Sequence, residues 1–248
     1  MNILLEARIQ DMYQKCTRNF SPVYSTFLDE AQCAAADNFC YKQGYEFKYG
    51  FWGGFDSAQR KILCIYPEYS EEYALNECPI KCLTFTFRKE DKLTHRDFLG
   101  SFMALRLKRE VIGDIIITPG KAQTFTTDVA AKLIMSTISK IGRVGVKITD
   151  NEPFSIEISQ EFETLGGTVA SLRLDCIVSL AAKISRENAA RLIRSEKVYV
   201  NHLPVTSISH ELKEGDIISV RGTGKFILDN SKGITKKGRI HVVLRKYK

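Results

Sequence analysis

Between residues 77 and 150 the apolar positions change period in a regular order. KCLTFTFR (81–88) alternates as a strand, and THRDFLGSFMALRL (94–107) shifts to helical spacing. IGDIIIT (112–118) and AQTFTT (122–127) alternate again on either side of the turn-forming Pro119-Gly120. Asp128 then caps the helical run VAAKLIMSTISKI, and VGVKIT (144–149) closes with a strand. The order β-α-β-β-α-β predicts a ferredoxin-like domain of the kind RNA-recognition domains use, here spanning 77–165. Order alone does not give a function.

The flanking segments read differently. Residues 1–76 begin with a helix over Ile3 to Lys15, break at Pro22, and resume helical spacing from Thr26 to Cys40. Strands at Tyr45 to Phe51 and Lys61 to Tyr66 join across Gly53-Gly54, which predicts a small α+β domain. ISQEFETLGGTVA (158–170) reads as a connection with Gly166-Gly167 as its weak point. From 171 to 248 the pattern gives helices at Leu172 to Ala182 and Arg186 to Ser195, then a strand at Val198 to Asn201 and a turn at His202 to Pro204. Further strands follow at 217–222, 225–228 and 239–248, the last two separated by the basic loop NSKGITKKG. The expected fold class is therefore α+β in three small domains, 1–76, 77–165 and 171–248.

The run KISRENAARLIRSEKVYVNH (183–202) carries the most distinctive chemistry. A helix entered through Ser185, with Glu187 in its first turn, puts Ala189, Leu192 and Ile193 on one face. Arg186, Arg191 and Arg194 fall on the other. A solvated amphipathic helix would explain that much. Charge distribution argues for more: of the formal net +7, residues 173–248 hold +9 and the other 172 residues hold −2. An anionic partner is expected on the last third.

Several classes are disfavoured. Glu6 and Arg8 interrupt the apolar core that a signal peptide would need, and no run approaches the roughly 20 apolar residues that cross a bilayer. The seven cysteines show no Cys-x-x-Cys pair, which predicts free thiols in a reducing cytosol and no zinc site at Cys78 and Cys82. His95, Arg96 and Asp97 are the nearest thing to a catalytic cluster, but consecutive helical residues point in different directions. Trp52 and Phe55 read as core or edge filling beside a turn, and the 122–127 strand offers only Phe125 for base stacking. Arg106, Lys108 and Arg109 read as a solvated loop. No cofactor is expected.

Arg173-Leu174-Asp175, Ile184-Ser185-Arg186, Lys197-Val198-Tyr199-Val200-Asn201 and Gly215-Asp216-Ile217-Ile218-Ser219-Val220-Arg221-Gly222 together resemble an S4-type RNA-binding domain in order and spacing. Glu196 departs from the pattern, where the family commonly carries glycine. The resemblance and the charge imply RNA contacts by Arg173, Lys183, Ser185, Arg186, Arg191, Arg194, Lys197, Asn201, His202, Arg221 and Lys225, with Arg173 and Arg186 foremost on phosphates and Asp175 holding an arginine or capping its helix. With TFLDEAQ (26–32), FWGGFDSAQRK (51–61) and THRDFLGSFMALRLKREVIGDIII (94–117), the whole chain resembles the bacterial YlmH family. That resemblance implies a non-enzymatic, cytoplasmic, monomeric protein that binds structured rRNA or tRNA on the large ribosomal subunit in ribosome-associated quality control. A cell-division adaptor, and an RNA-modifying enzyme with a diverged site, are the alternatives.

Overall fold

Asp29 marks the first difference between pattern and structure. In the computed structural model, which describes residues 3–44, 46–150, 152–158, 161–234 and 238–247, the expected helix from Thr26 begins only after it. Helix α1 (Ile3–Asn19) leads into strand β1 (Val23–Leu28) and then helix α2 (Glu30–Gln43). The Asp29 side chain accepts from the Gln32 N–H at 2.8 Å, and the Gln32 side chain accepts from the Asp29 N–H at 2.9 Å, a capping box that fixes where the helix starts. Residues 26–28 go to the strand because pairing with the next hairpin buries Phe27 and Leu28. That hairpin is β2 (Lys48–Trp52) and β3 (Lys61–Tyr66), in the antiparallel order β1-β3-β2. The Tyr45 start expected for its first strand lies outside the described residues. Helices α1 and α2 cover one face through Ile9, Cys16, Ala36 and Cys40 against Leu63 and Ile65.

A short helix α3 (Glu71–Ala74) precedes the central segment: β4 (Ile80–Thr86), α4 (His95–Ala104), β5 (Ile112–Thr118), β6 (Lys121–Thr127) and α5 (Asp128–Thr137). A two-stranded ribbon of β7 (Lys140–Ile141) and β8 (Val144–Gly145) follows, then β9 (Lys147–Thr149). The expected strand at 144–149 is thus two pieces serving two sheets. The antiparallel order β5-β6-β4-β9 is the ferredoxin-like arrangement that the pattern predicted. Leu83, Phe85 and Ala122 face α4 and α5, where Phe98, Phe102 and Ile134 complete the core.

The other face of this sheet, which RNA-recognition domains leave open for stacking, is covered. Phe125 is buried against Phe27 and Ile62 of the first sheet, and Phe55 stacks on Phe154 at 4.7 Å with Phe125 at 5.3 Å. Gly54 has φ +98°, and a Cβ there would stand 2.1 Å from the Phe125 ring. Residues 153–156 are strapped across by buried Gln123. Its Nε2 donates to Thr84 Oγ1 and Pro153 O at 3.0 and 2.9 Å, and its Oε1 accepts from Ser155 and Ile156 N–H at 2.9 and 3.2 Å. Residues 1–157 consequently form one compact unit, and the expected boundary at 76/77 falls inside it.

The second compact unit is 158–248, opening ahead of the expected 171. Strand β10 (Phe162–Val169) runs through the glycine pair that read as a connection and pairs along its length with β15 (Ile240–Tyr247). Between them come α6 (Leu174–Ala182), α7 (Arg186–Arg194), β11 (Val198–Val200), β12 (Leu203–Pro204), β13 (Ile217–Val220) and β14 (Gly224–Ile234). The sheet order is β10-β15-β14-β13-β11-β12, antiparallel throughout. Strand β14 takes up residues 230–234 of the expected basic loop; Thr235, Lys236 and Lys237 lie outside the described residues, as does Lys248. Ile177, Ala181, Ala189 and Ile193 pack from the helices onto Val198, Ile218, Val220, Phe226 and Leu244.

Candidate nucleic-acid interface

The corner between α6 and α7 is built by backbone bonds and capped turns. Leu174 and Asp175 N–H donate to His210 O and Ile208 O at 2.8 and 3.3 Å, sewing the start of α6 to the following loop. Lys183 closes α6 in the left-handed region (φ 54°), and Ser179 Oγ donates to Ile184 O at 2.6 Å. Ser185 caps α7 by accepting from Asn188 N–H at 3.2 Å, which gives its hydroxyl oxygen a structural task.

At this corner Asp175, 4% exposed, accepts from both leading arginines. Arg173 Nε donates to its Oδ1 at 3.1 Å, and Arg186 donates to Oδ2 from Nε at 3.2 Å and from Nη2 at 2.6 Å. Burial alone would raise the carboxyl pKa. The hydrogen bonds and charges of Arg186 and Arg173 outweigh it and hold the group below the usual carboxylate range. The carboxylate thus holds arginines instead of capping its helix, and two guanidiniums are fixed side by side with 40% and 55% of their side-chain surface exposed.

Next to this pair a groove of about 420 Å³ is lined by Lys183, Arg186 and Arg239 together with Ser179, Thr168 and apolar residues such as Leu180 and Ile184, and no Asp or Glu stands among its described lining residues. Arg239 was not legible as a site residue. It reaches the groove because β10 lies at the sheet edge, where Arg239 Nη2 donates to Thr168 O at 3.0 Å. Only reading 162–169 as a strand would have signalled it.

The other expected contacts are distributed. Arg194 and Lys197 are exposed at the exit of α7, and the Arg221 N–H donates to Lys197 O at 2.9 Å, which brings those two positions together. Arg191 is tied along its own helix to Asn188 at 2.7 Å and Glu187 at 3.6 Å. Asn201 and His202, at φ 48° and 67°, form the two-residue turn between β11 and β12. The Asn201 amide is committed to structure: Nδ2 donates to Asp216 Oδ1 at 2.9 Å and Oδ1 accepts from Ile217 N–H at 3.0 Å. Lys225 does not share the helical surface. It alternates with core-facing Phe226 and Leu228, so it lies on the opposite face, its Nζ 5.0 Å from the Tyr247 ring centroid.

The basic residues of the first unit are spent differently. Arg109 is turned inward, donating to Ile112 O and Gly113 O at 2.8 and 3.1 Å, and burial together with neighbouring Arg60 lowers its pKa to about 10. Asp97 completes a capping box with Thr94 at the start of α4, so it does not converge with His95 and Arg96 on a common point. Cys78 is buried and Cys82 half-buried; burial pushes their thiols up to about 12 and about 11. Among the described residues no helix is long and apolar enough to cross a membrane.

The S4 family matches residues 172–218, which hold the two-helix corner and its clamped arginines, so the second unit carries an S4 domain. Residues 71–155 match the family described as "Putative RNA-binding domain in YlmH". The chain is 30% identical over 202 residues to the ribosome-associated protein quality control protein P2 of Bacillus subtilis, covering 80% of this chain and 77% of that protein. The chain belongs to the YlmH family of S4-domain RNA-binding proteins. A solved structure, the cell division protein ylmH from Streptococcus pneumoniae, shares the fold at TM-score 0.53 and 16% identity, over 61% of this chain and 91% of that one.

Proposed function

We propose that this protein binds folded rRNA or tRNA on the large ribosomal subunit as a non-enzymatic cytoplasmic factor of ribosome-associated quality control, acting as a monomer. The carrying observation is the cationic groove of Lys183, Arg186 and Arg239 beside the Asp175 clamp. Fixed guanidiniums facing solvent, without carboxylates in the groove, suit phosphate oxygens of a folded backbone and read shape in preference to base edges. The Bacillus subtilis relative supports the ribosomal setting by its name. A binding role without chemistry is supported by the use of Asp97 as a helix cap and of Arg109 as a carbonyl clamp. In this reading the N-terminal and central segments position the S4 domain on the particle.

The test is co-sedimentation with purified large subunits. Reversing Arg173 and Arg186 would surround Asp175 with carboxylates and disturb the fold, so the informative variant is Lys183→Glu with Arg194→Glu. It should lose co-sedimentation, while Lys15→Glu with Lys42→Glu should retain it. Unchanged co-sedimentation of the first variant would refute the proposal. Nucleoside mass spectrometry of RNA incubated with the protein, with and without a methyl donor, should show no new modification.

A further inference from the structure

The face of the second unit's sheet that carries no helix has its own chemistry. Alternation puts Val198, Val200, Ile218, Val220, Phe226, Leu228, Val242 and Leu244 against the helices, so their strand neighbours point the other way. The register aligns Tyr199 with Ser219, Ser219 with Lys225, and Tyr247 with Phe162, one row running across β11, β13, β14, β15 and β10. The next row aligns Ile217, Ile227, Arg245 and Thr164.

Along these rows cations and aromatic rings interleave. Phe162 and Tyr247 meet edge to face with centroids 5.0 Å apart, Lys225 Nζ lies 5.0 Å from the Tyr247 centroid, and Arg245 Cζ lies 4.9 Å from that of Phe162. Asp229 meets Arg245 at 2.7 Å, yet Arg245 Nε is buried with no hydrogen-bond partner among the described residues. Arg221 extends the positive character just past β13, exposed. At the β10 edge the face is open: a Cβ on Gly166 would meet nothing within 4 Å.

We propose that this face is a second RNA site, separate from the helical corner, which takes a single-stranded segment. Its bases stack on Tyr247, Phe162 and Tyr199, while Lys225 and the exposed Arg221 neutralise its phosphates and Arg245, held by Asp229, backs the Phe162 ring. Single-stranded RNA suits the surface because stacking needs a free base plane, which a duplex hides, and because half-buried rings backed by cations are the platform such strands use. Tyr199 and Tyr247 stand three strand spacings apart, roughly 14 Å, which accommodates a short run of bases and not a helix.

The experiment uses the full chain with two labelled probes, a ten-nucleotide oligouridylate and a stable RNA hairpin. Phe162→Leu with Tyr247→Leu should bind oligouridylate at least tenfold more weakly and the hairpin within twofold of the unmodified protein. Lys183→Glu with Arg194→Glu should do the reverse, so failure here and failure of the ribosomal reading give different results. Should the double leucine variant lose its circular dichroism signal, Lys225→Glu is the replacement, with the same selective loss expected. Ultraviolet crosslinking of the unmodified protein should place uridine adducts on Tyr247, Phe162 or Tyr199. No measurable oligouridylate binding, equal binding by the variant, or adducts confined to α6 and α7 would overturn the proposal.

Discussion

Arg186 Nη2, at the start of α7, donates at 2.6 Å to Asp175 Oδ2 in the first turn of α6, so one buried carboxylate sets the position of the arginine that opens the second helix. Because the folded pKa of Asp175 is depressed, its contribution to stability is fully present above the unfolded value of about 4 and is lost as the pH falls through the folded value. Asp175→Asn should therefore cost about 1–2 kcal/mol at neutral pH, toward the low side for charged hydrogen bonds because both guanidiniums are partly solvated. Urea melts between pH 7 and pH 2 should show the two proteins converging below pH 4. A constant gap down to pH 2 would show that the carboxylate charge is not what stabilises the corner.

RNA affinity of the full chain should fall steeply with salt. With the positive excess confined to 173–248 and six or more phosphates engaged, the loss between about 50 and 200 mM salt is roughly a thousandfold or more. A filter-binding titration across that range measures the slope, and a flat response would exclude a phosphate-dominated interface.

Glu196 sits at φ 55°, in the left-handed region that favours glycine. The physical reason for glycine at this position in related domains is thereby visible: the chain leaves α7 and turns back at once, with the Glu196 N–H donating to Ile193 O and the Lys197 N–H to Leu192 O, both at 3.1 Å. Glu196→Gly should stabilise the protein by about 0.5–1 kcal/mol, read as a higher urea midpoint at unchanged slope.

The two adjacent glycines of β10 should respond oppositely to alanine. A Cβ on Gly167 would stand 2.4 Å from Leu180 Cδ1, so alanine there forces the half-buried Leu180 side chain of α6 to move. Gly167→Ala should cost about 1–3 kcal/mol through overpacking, and Gly166→Ala, facing open space, should be neutral within about 0.5 kcal/mol. Thermal melts of the two variants separate these outcomes; similar losses at both sites would contradict the packing of β10 on α6.

The sequence by itself determined what local periodicity and local chemistry can encode. Helices α4 to α7 and strands β3 to β6 follow from spacing and caps, the S4 assignment over 173–222 rests on the resemblance of its motifs, and the basic excess of the last third is a plain count. It also brought Arg173 and Arg186 to prominence through the S4 motifs that carry them, and it gave Asp175 an arginine as one of its two candidate partners; that Arg186, eleven residues further on, reaches that carboxylate depends on how α7 packs on α6. Tertiary structure alone decided the rest. Strand β1 looked helical because Thr26–Leu28 continue the apolar spacing of α2, and only pairing with β3 and the Asp29 cap reassign them. Strand β10 looked like a connection because its glycines carry no side-chain signal; its partners on β15 are 71 to 85 residues away, from Val169 with Ile240 to Phe162 with Tyr247. That pairing brings Arg239 to the groove and Phe162 to Tyr247. Likewise, the burial of Phe125 and the opposite facing of Lys225 depend on which sheet face receives a neighbour, and that is settled by contacts distant in sequence, which no local window contains.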